Sequence, residues 1–133
     1  MTQDQVRTPV MTLKAAFEAE HARREAERLA REAAELQRQA EDLARAEGLE
    51  TALGADREFL VSRGLRLERR RYTVSLDHAD YRIAAYFENG EVSVTSADKR
   101  NATTSAAPRK QQFAASVEDA LLIMAQFLAD ETQ

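Results

Sequence analysis

From Leu13 to Glu47 the chain contains neither glycine nor proline, and this stretch limits what the rest can build. Its residues are mostly Ala, Glu, Arg, Leu and Gln, all good helix formers. About 40 residues of helix would run roughly 60 Å at 1.5 Å per residue, longer than a small domain is wide. Thr8-Pro9 or Thr12 supplies a start signal, as an N-cap followed by residues that tolerate a first turn. Residues 1–8 are polar and are expected to be disordered, and the long helix or coiled coil is expected over residues 9–53.

Inside this helix the apolar residues repeat in sevens. Ala26, Ala33 and Ala40 fall at one heptad position, and Leu29, Leu36 and Leu43 fall three residues after each. These are the two seam positions of a short coiled coil, and the register runs backward through Ala22, Ala19 and Ala15. Arg24, Arg31, Arg38 and Arg45 repeat on the far side. Glu20–Arg24, Glu27–Arg31 and Glu41–Arg45 are i,i+4 pairs in the favourable order, each contributing about 0.3 kcal/mol to the helix. The leucines would supply most of any burial between helices, on the order of 1.5–3 kcal/mol each if fully covered. The seam predicts self-association; docking on another protein and a lone spacer helix are the alternatives.

Gly48 and Gly54 bracket the helix end, and the period then changes. Asp56 to Arg63 predicts a short helix with Phe59 and Leu60 turned inward and Gly64 as its stop. Tyr72, Val74 and Leu76 alternate with polar residues, as do Tyr81, Ile83, Ala85 and Phe87, then Val92 and Val94. Asn89-Gly90 is a strong two-residue hairpin signal. It sets Phe87 opposite Val92 and Ala85 opposite Val94. A His78-Ala79 loop would set Leu76 opposite Tyr81, Val74 opposite Ile83 and Tyr72 opposite Ala85. Both turns put the apolar residues on one face. Residues 96–112 read as a mobile basic loop. Ser116 with Asp119 resembles a capping box, opening a last helix with Val117, Leu121, Met124 and Leu128 as its stripe and Ile123 and Phe127 beside it. The fold class is therefore α+β: a long N-terminal coiled-coil-type helix, then a small α-β-β-β-α domain over residues 54–133 with a three-stranded antiparallel meander.

Chemistry is sparse. There is no cysteine and there are only two histidines, so thiolate nucleophiles and Cys-type zinc sites are excluded. His21 sits among arginines on the long helix and is expected to be solvated. His78 lies between Asp77 and Asp80, a set that can ligate a metal, but turns favour Asp for local hydrogen bonds in any case. No glycine-rich phosphate loop, nucleophile elbow or H-E-x-x-H occurs. The chain reads as non-enzymatic, with no cofactor. No basic and apolar leader opens the sequence, and the longest apolar run, Ala120 to Ala125, is too short to span a bilayer. A cytoplasmic protein without membrane contact is expected.

A formal net charge of −4 argues against a dedicated nucleic-acid binder, yet Arg63, Arg66, Arg69, Arg70 and Arg71 form a local basic run. Arg69 and Arg71 are expected beside Arg82 and Tyr86 on the solvent face of the sheet, with Lys99, Arg100, Arg109 and Lys110 nearby. Such a face could meet an acidic segment of a protein or the phosphates of a nucleic acid. Over about residues 55–131 the α-β-β-β-α order resembles that of double-stranded-RNA-binding domains. In that family a Lys-rich start to the last helix grips phosphates. Here Arg109 and Lys110 are the nearest match, and they precede the Ser116 cap and are followed by Glu118 and Asp119. The likeness is topological, and membership does not follow from it. The functional expectation is an oligomeric scaffold or adaptor, a homodimer or other homo-oligomer through Ala26, Leu29, Ala33, Leu36, Ala40 and Leu43. It would bind a protein partner through Arg69, Arg71, Arg82 and Tyr86. The alternative is a nucleic-acid-associated protein using the same basic face.

Overall fold

The computed structural model describes residues 11–100 and 110–132. The expected disorder of residues 1–8 and the centre of the expected basic loop lie outside them. The chain divides into two compact units, residues 1–37 and 38–133.

Helix α1 spans Leu13–Gly54 without a break. Thr12 is its N-cap: Ala15 N–H donates to Thr12 Oγ1 at 3.1 Å, and Ala16 N–H donates to the Thr12 carbonyl at 2.9 Å. Among the described residues the first unit is this helix as far as residue 37, with Met11 and Thr12 before it. Its surface is laced by ion pairs of i,i+3 and i,i+4 spacing. Arg23 bridges Glu20 and Glu27, Arg24 reaches Glu20 at 2.8 Å, and Arg28 bridges Glu25 and Glu32.

In the second unit the last turns of α1 lead into α2, Arg57–Ser62. Five strands follow: β1 Arg66–Arg70, β2 Thr73–Asp77, β3 Tyr81–Glu88, β4 Glu91–Asp98 and β5 Lys110–Ala114. Helix α3, Val117–Glu131, completes the unit. The strands form one antiparallel sheet in the order β1-β2-β3-β4-β5. The fold is α+β, and the meander has five strands where the sequence predicted three. The topological likeness to α-β-β-β-α domains ends there. The added strands are the two edges. Strand β1 carries Leu67 as its one apolar residue, and β5 is polar except for Phe113 and Ala114, so neither shows the alternation that marks a half-buried strand. The ends of the expected 96–112 loop are thus strand: Ser96–Asp98 finishes β4 and Lys110–Gln112 begins β5.

One face of the sheet is the core. Val74, Leu76, Ile83, Ala85, Phe87, Val92 and Val94 pack with Ala46, Leu49 and Leu53 of α1, Leu60 of α2, and Ala120, Ile123, Met124, Phe127 and Leu128 of α3. The Asn89-Gly90 register is as expected, with Phe87 opposite Val92 and Ala85 opposite Val94. The β2–β3 register is shifted by two residues: Leu76 faces Ile83 and Val74 faces Ala85. The loop is longer than His78-Ala79 because His78 organises it. Its N–H donates to the Tyr81 carbonyl at 2.9 Å, its Nδ1 accepts from Asp80 N–H at 3.0 Å, and its ring stacks on Tyr81 at 4.4 Å. A shift of two keeps every side chain on its own face, which is why the core prediction survives the change of register.

The helix ends follow local chemistry. Helix α2 stops in a Schellman arrangement: Leu65 N–H donates to the Leu60 carbonyl, Gly64 N–H donates to the Val61 carbonyl, and Gly64 takes φ +69°. Leu60 is buried as expected, but Phe59 is 46% exposed, with the Arg63 guanidinium 5.7 Å above its ring. A six-residue helix has only one narrow inward stripe, and Leu60 fills it. Ser116 caps α3 by accepting from Asp119 N–H at 3.0 Å, and Asp119 Oδ2 accepts in return from Ala115 N–H at 2.8 Å.

Candidate protein-binding face

Helix α1 carries two apolar stripes. In the second unit Asp42, Ala46, Leu49 and Leu53 are buried, at spacings that keep one side of the helix on the core. Extended backward along the sequence with the same alternation of threes and fours, that series meets Gln39, Glu35, Glu32 and Arg28, all polar. The heptad stripe has a different phase. At 100° per residue, its last member Leu43 lies roughly 120° around the helix from Leu49, within the second unit. In the first unit Leu29 and Leu36 are 52% and 67% exposed, and Ala26 and Ala33 are exposed with them. In the second unit Ala40 is exposed and Leu43 half-buried.

The sheet face opposite the core has a floor of small residues. Ser75, Ala84 and Thr95 align across β2, β3 and β4 and are all buried. Arg82 and Tyr86 rise from β3 on either side of Ala84 and share with it a recess of about 510 Å³, closed on the Arg82 side by Asp77 and Lys99. The register carries the aromatic surface onward from Tyr86 through Ser93 to Phe113, which is 65% exposed.

Of the four residues assigned to this face from the sequence, the fold brings together Arg82 and Tyr86. Arg71 occupies the β1–β2 turn with φ +56°, its guanidinium 5.2 Å from the centre of the Tyr72 ring. It stands at the end of the sheet where Thr73 pairs with Tyr86. Arg69 is on the other face. It is opposite Val74 in the register, and its Nε donates to Glu50 Oε1 of α1 at 2.6 Å while its Nη1 donates to the Arg71 carbonyl at 3.1 Å. The sequence placed Arg69 with Arg71 on the solvent side by alternation along one strand, whereas the chain reverses between them.

The basic run is largely matched by carboxylates. Asp77 accepts from Lys99 at 2.9 Å and from Arg66 at 3.1 Å, Arg70 bonds Glu68 at 3.2 Å, Arg100 bonds Asp98 and Glu131, and Lys110 bonds Asp130. Burial opposes ionisation of Asp77, but the Lys99 hydrogen bond and the charges of Lys99, Arg66 and Arg82 outweigh it and hold the carboxyl below its ordinary value. The recess is therefore mixed in charge and bordered by an aromatic ring.

Reasoning from sequence missed Phe113 and Asp77 as members of this face and placed Lys99 near it only as part of a loop. Phe113 directly follows the expected 96–112 loop, where no strand was predicted, and Asp77 and Lys99 meet only because β4 is longer than expected. His21 stacks on Phe17 at 5.7 Å, and His78 is the turn organiser described above. Among the described residues no three His, Cys, Asp or Glu side chains cluster as a metal site, and no helix is long and apolar enough to cross a membrane. No protein-family model, characterised protein or solved structure matches the chain.

Proposed function

We propose that the chain is a non-enzymatic oligomeric adaptor of the cytoplasm, in which α1 joins copies through its heptad stripe and the outer sheet face around Arg82, Tyr86 and Phe113 holds a protein partner. The observation that carries this reading is the phase difference along α1. The helix spends one stripe on its own core and leaves Leu29 and Leu36 exposed on another. A helix serving only as a spacer has no use for leucine repeated in sevens at exposed positions. The aromatic residues on the sheet face are the type enriched where proteins meet.

Light scattering on the full chain tests the helix half of the reading. A mass of two or more chains, falling to one when Leu29→Glu and Leu36→Glu are combined, is the expected result. A monomeric wild-type chain would refute it.

A further inference from the structure

We infer that the occupant of the α1 stripe is a second copy of this chain lying antiparallel, with the two helices crossing level with Arg31; this rests on the self-association proposed above. The argument is one of side-chain size. In a parallel pair the two-fold axis runs along the helices, so each seam residue meets its own copy. Leucine would face leucine and alanine would face alanine in alternate layers. Helix axes pack 8–10 Å apart according to the side chains between them, and no single separation fills both kinds of layer. Wide layers would hold the helices apart and leave the alanine layers hollow.

An antiparallel pair sets one seam position against the other. Centred on Arg31, Leu29 meets Ala33 of the second copy and Leu36 meets Ala26, all within the first unit. Over residues 26–36 each leucine then faces an alanine, and those layers have the same width, which is the alternation of large and small residues that packs without voids. Charge does not oppose this register away from the two-fold axis. The positions flanking the seam place Arg23 by the neutral Gln37 of the other copy. The like-charged pair is Glu32 with its own copy at the two-fold axis, and there each carboxylate is already held by Arg28 of its own helix at 2.5 Å.

The chain has no cysteine, so Lys14→Cys gives a single attachment point for a spin label on an exposed turn. Antiparallel helices centred on Arg31 place the two labels about 50 Å apart along the axis at 1.5 Å per residue. Parallel helices place them level, within about 25 Å across a helix pair whose members are about 10–12 Å in diameter. The labelled full chain is measured by light scattering and by pulsed dipolar spectroscopy. A dimer with the long distance is expected. A dimer with the short distance, or an assembly of three or more chains, overturns the antiparallel pair while leaving self-association standing. A monomer overturns both.

Discussion

Asp42 holds the turn at Gly90: its Oδ1 accepts from the Gly90 N–H at 3.0 Å, and its Oδ2 accepts from the Asn89 N–H at 2.8 Å. The pair is 48 residues apart in sequence and ties the last turns of α1 to the β3–β4 hairpin. The carboxylate is buried and also accepts from Arg45 at 2.5 Å. Hydrogen bonds to a charged group contribute about 1.5–3 kcal/mol each, so Asp42→Ala should destabilise the fold by about 2–4 kcal/mol. Asp42→Asn, which keeps one acceptor, should cost less. Urea midpoints at neutral pH measure both, and equal losses for the two variants would contradict the two-bond account.

The same turn depends on backbone freedom. Asn89 and Gly90 take φ +52° and +82°, the left-handed region that glycine occupies without strain. Gly90→Ala meets no neighbouring atom within 4 Å, so conformation alone sets its cost, which should be on the order of 1 kcal/mol. A loss far above this would mean that the added methyl disturbs the Asp42 bonds as well.

How far the sequence was readable follows from what each element relies on. The helix over Leu13–Gly54 and the Asn89-Gly90 hairpin rest on local signals, periodicity and a turn that needs positive φ, and both were legible. Strands β1 and β5 rest on pairing with a neighbour already in place, so their own residues show little. Asp42 sits among charged residues at a helical position that looks solvated, and only the return of the hairpin makes it a ligand for two N–H groups. The candidate face was half legible. Arg82 and Tyr86 share a strand and a parity, which alternation reveals, while Arg69 and Arg71 are divided by a chain reversal that alternation cannot detect.

Arg69 is expected to matter to folding more than to binding. Its guanidinium covers the edge of the core by bonding Glu50, with Glu47 at 3.9 Å. Both side chains are partly exposed, so solvent screens the pair and limits the coupling. A double-mutant cycle of Arg69→Ala and Glu50→Ala should give about 0.5–1 kcal/mol. No coupling would return Arg69 to the set of residues available for a partner.

Acid should weaken the sheet around β2. Asp77 has a folded pKa below its unfolded value of about 4. A carboxyl shifted in this direction stabilises the fold above the unfolded pKa, and the contribution disappears as pH falls through the folded pKa. The stability difference between the wild type and Asp77→Asn should therefore be present at pH 7 and shrink below about pH 4. A difference that stays constant with pH would show that the asparagine acts through packing and not through charge.

The two stripes of α1 predict two separable failures. Leu49 is fully buried in the core of the second unit, and Leu49→Ala should cost about 2–5 kcal/mol of folding stability. Leu36 lies outside that core, so Leu36→Glu should leave the melting of the α+β unit unchanged. It should act on association instead. Each leucine enters a symmetric dimer twice, and covering one contributes about 1.5–3 kcal/mol, so the dimer should weaken by about 3–6 kcal/mol, at least a hundredfold in dissociation constant. Sedimentation across a concentration series, run beside a urea titration, separates the two effects. A Leu36→Glu chain that associates as the wild type does would show that the exposed leucines do not form the seam.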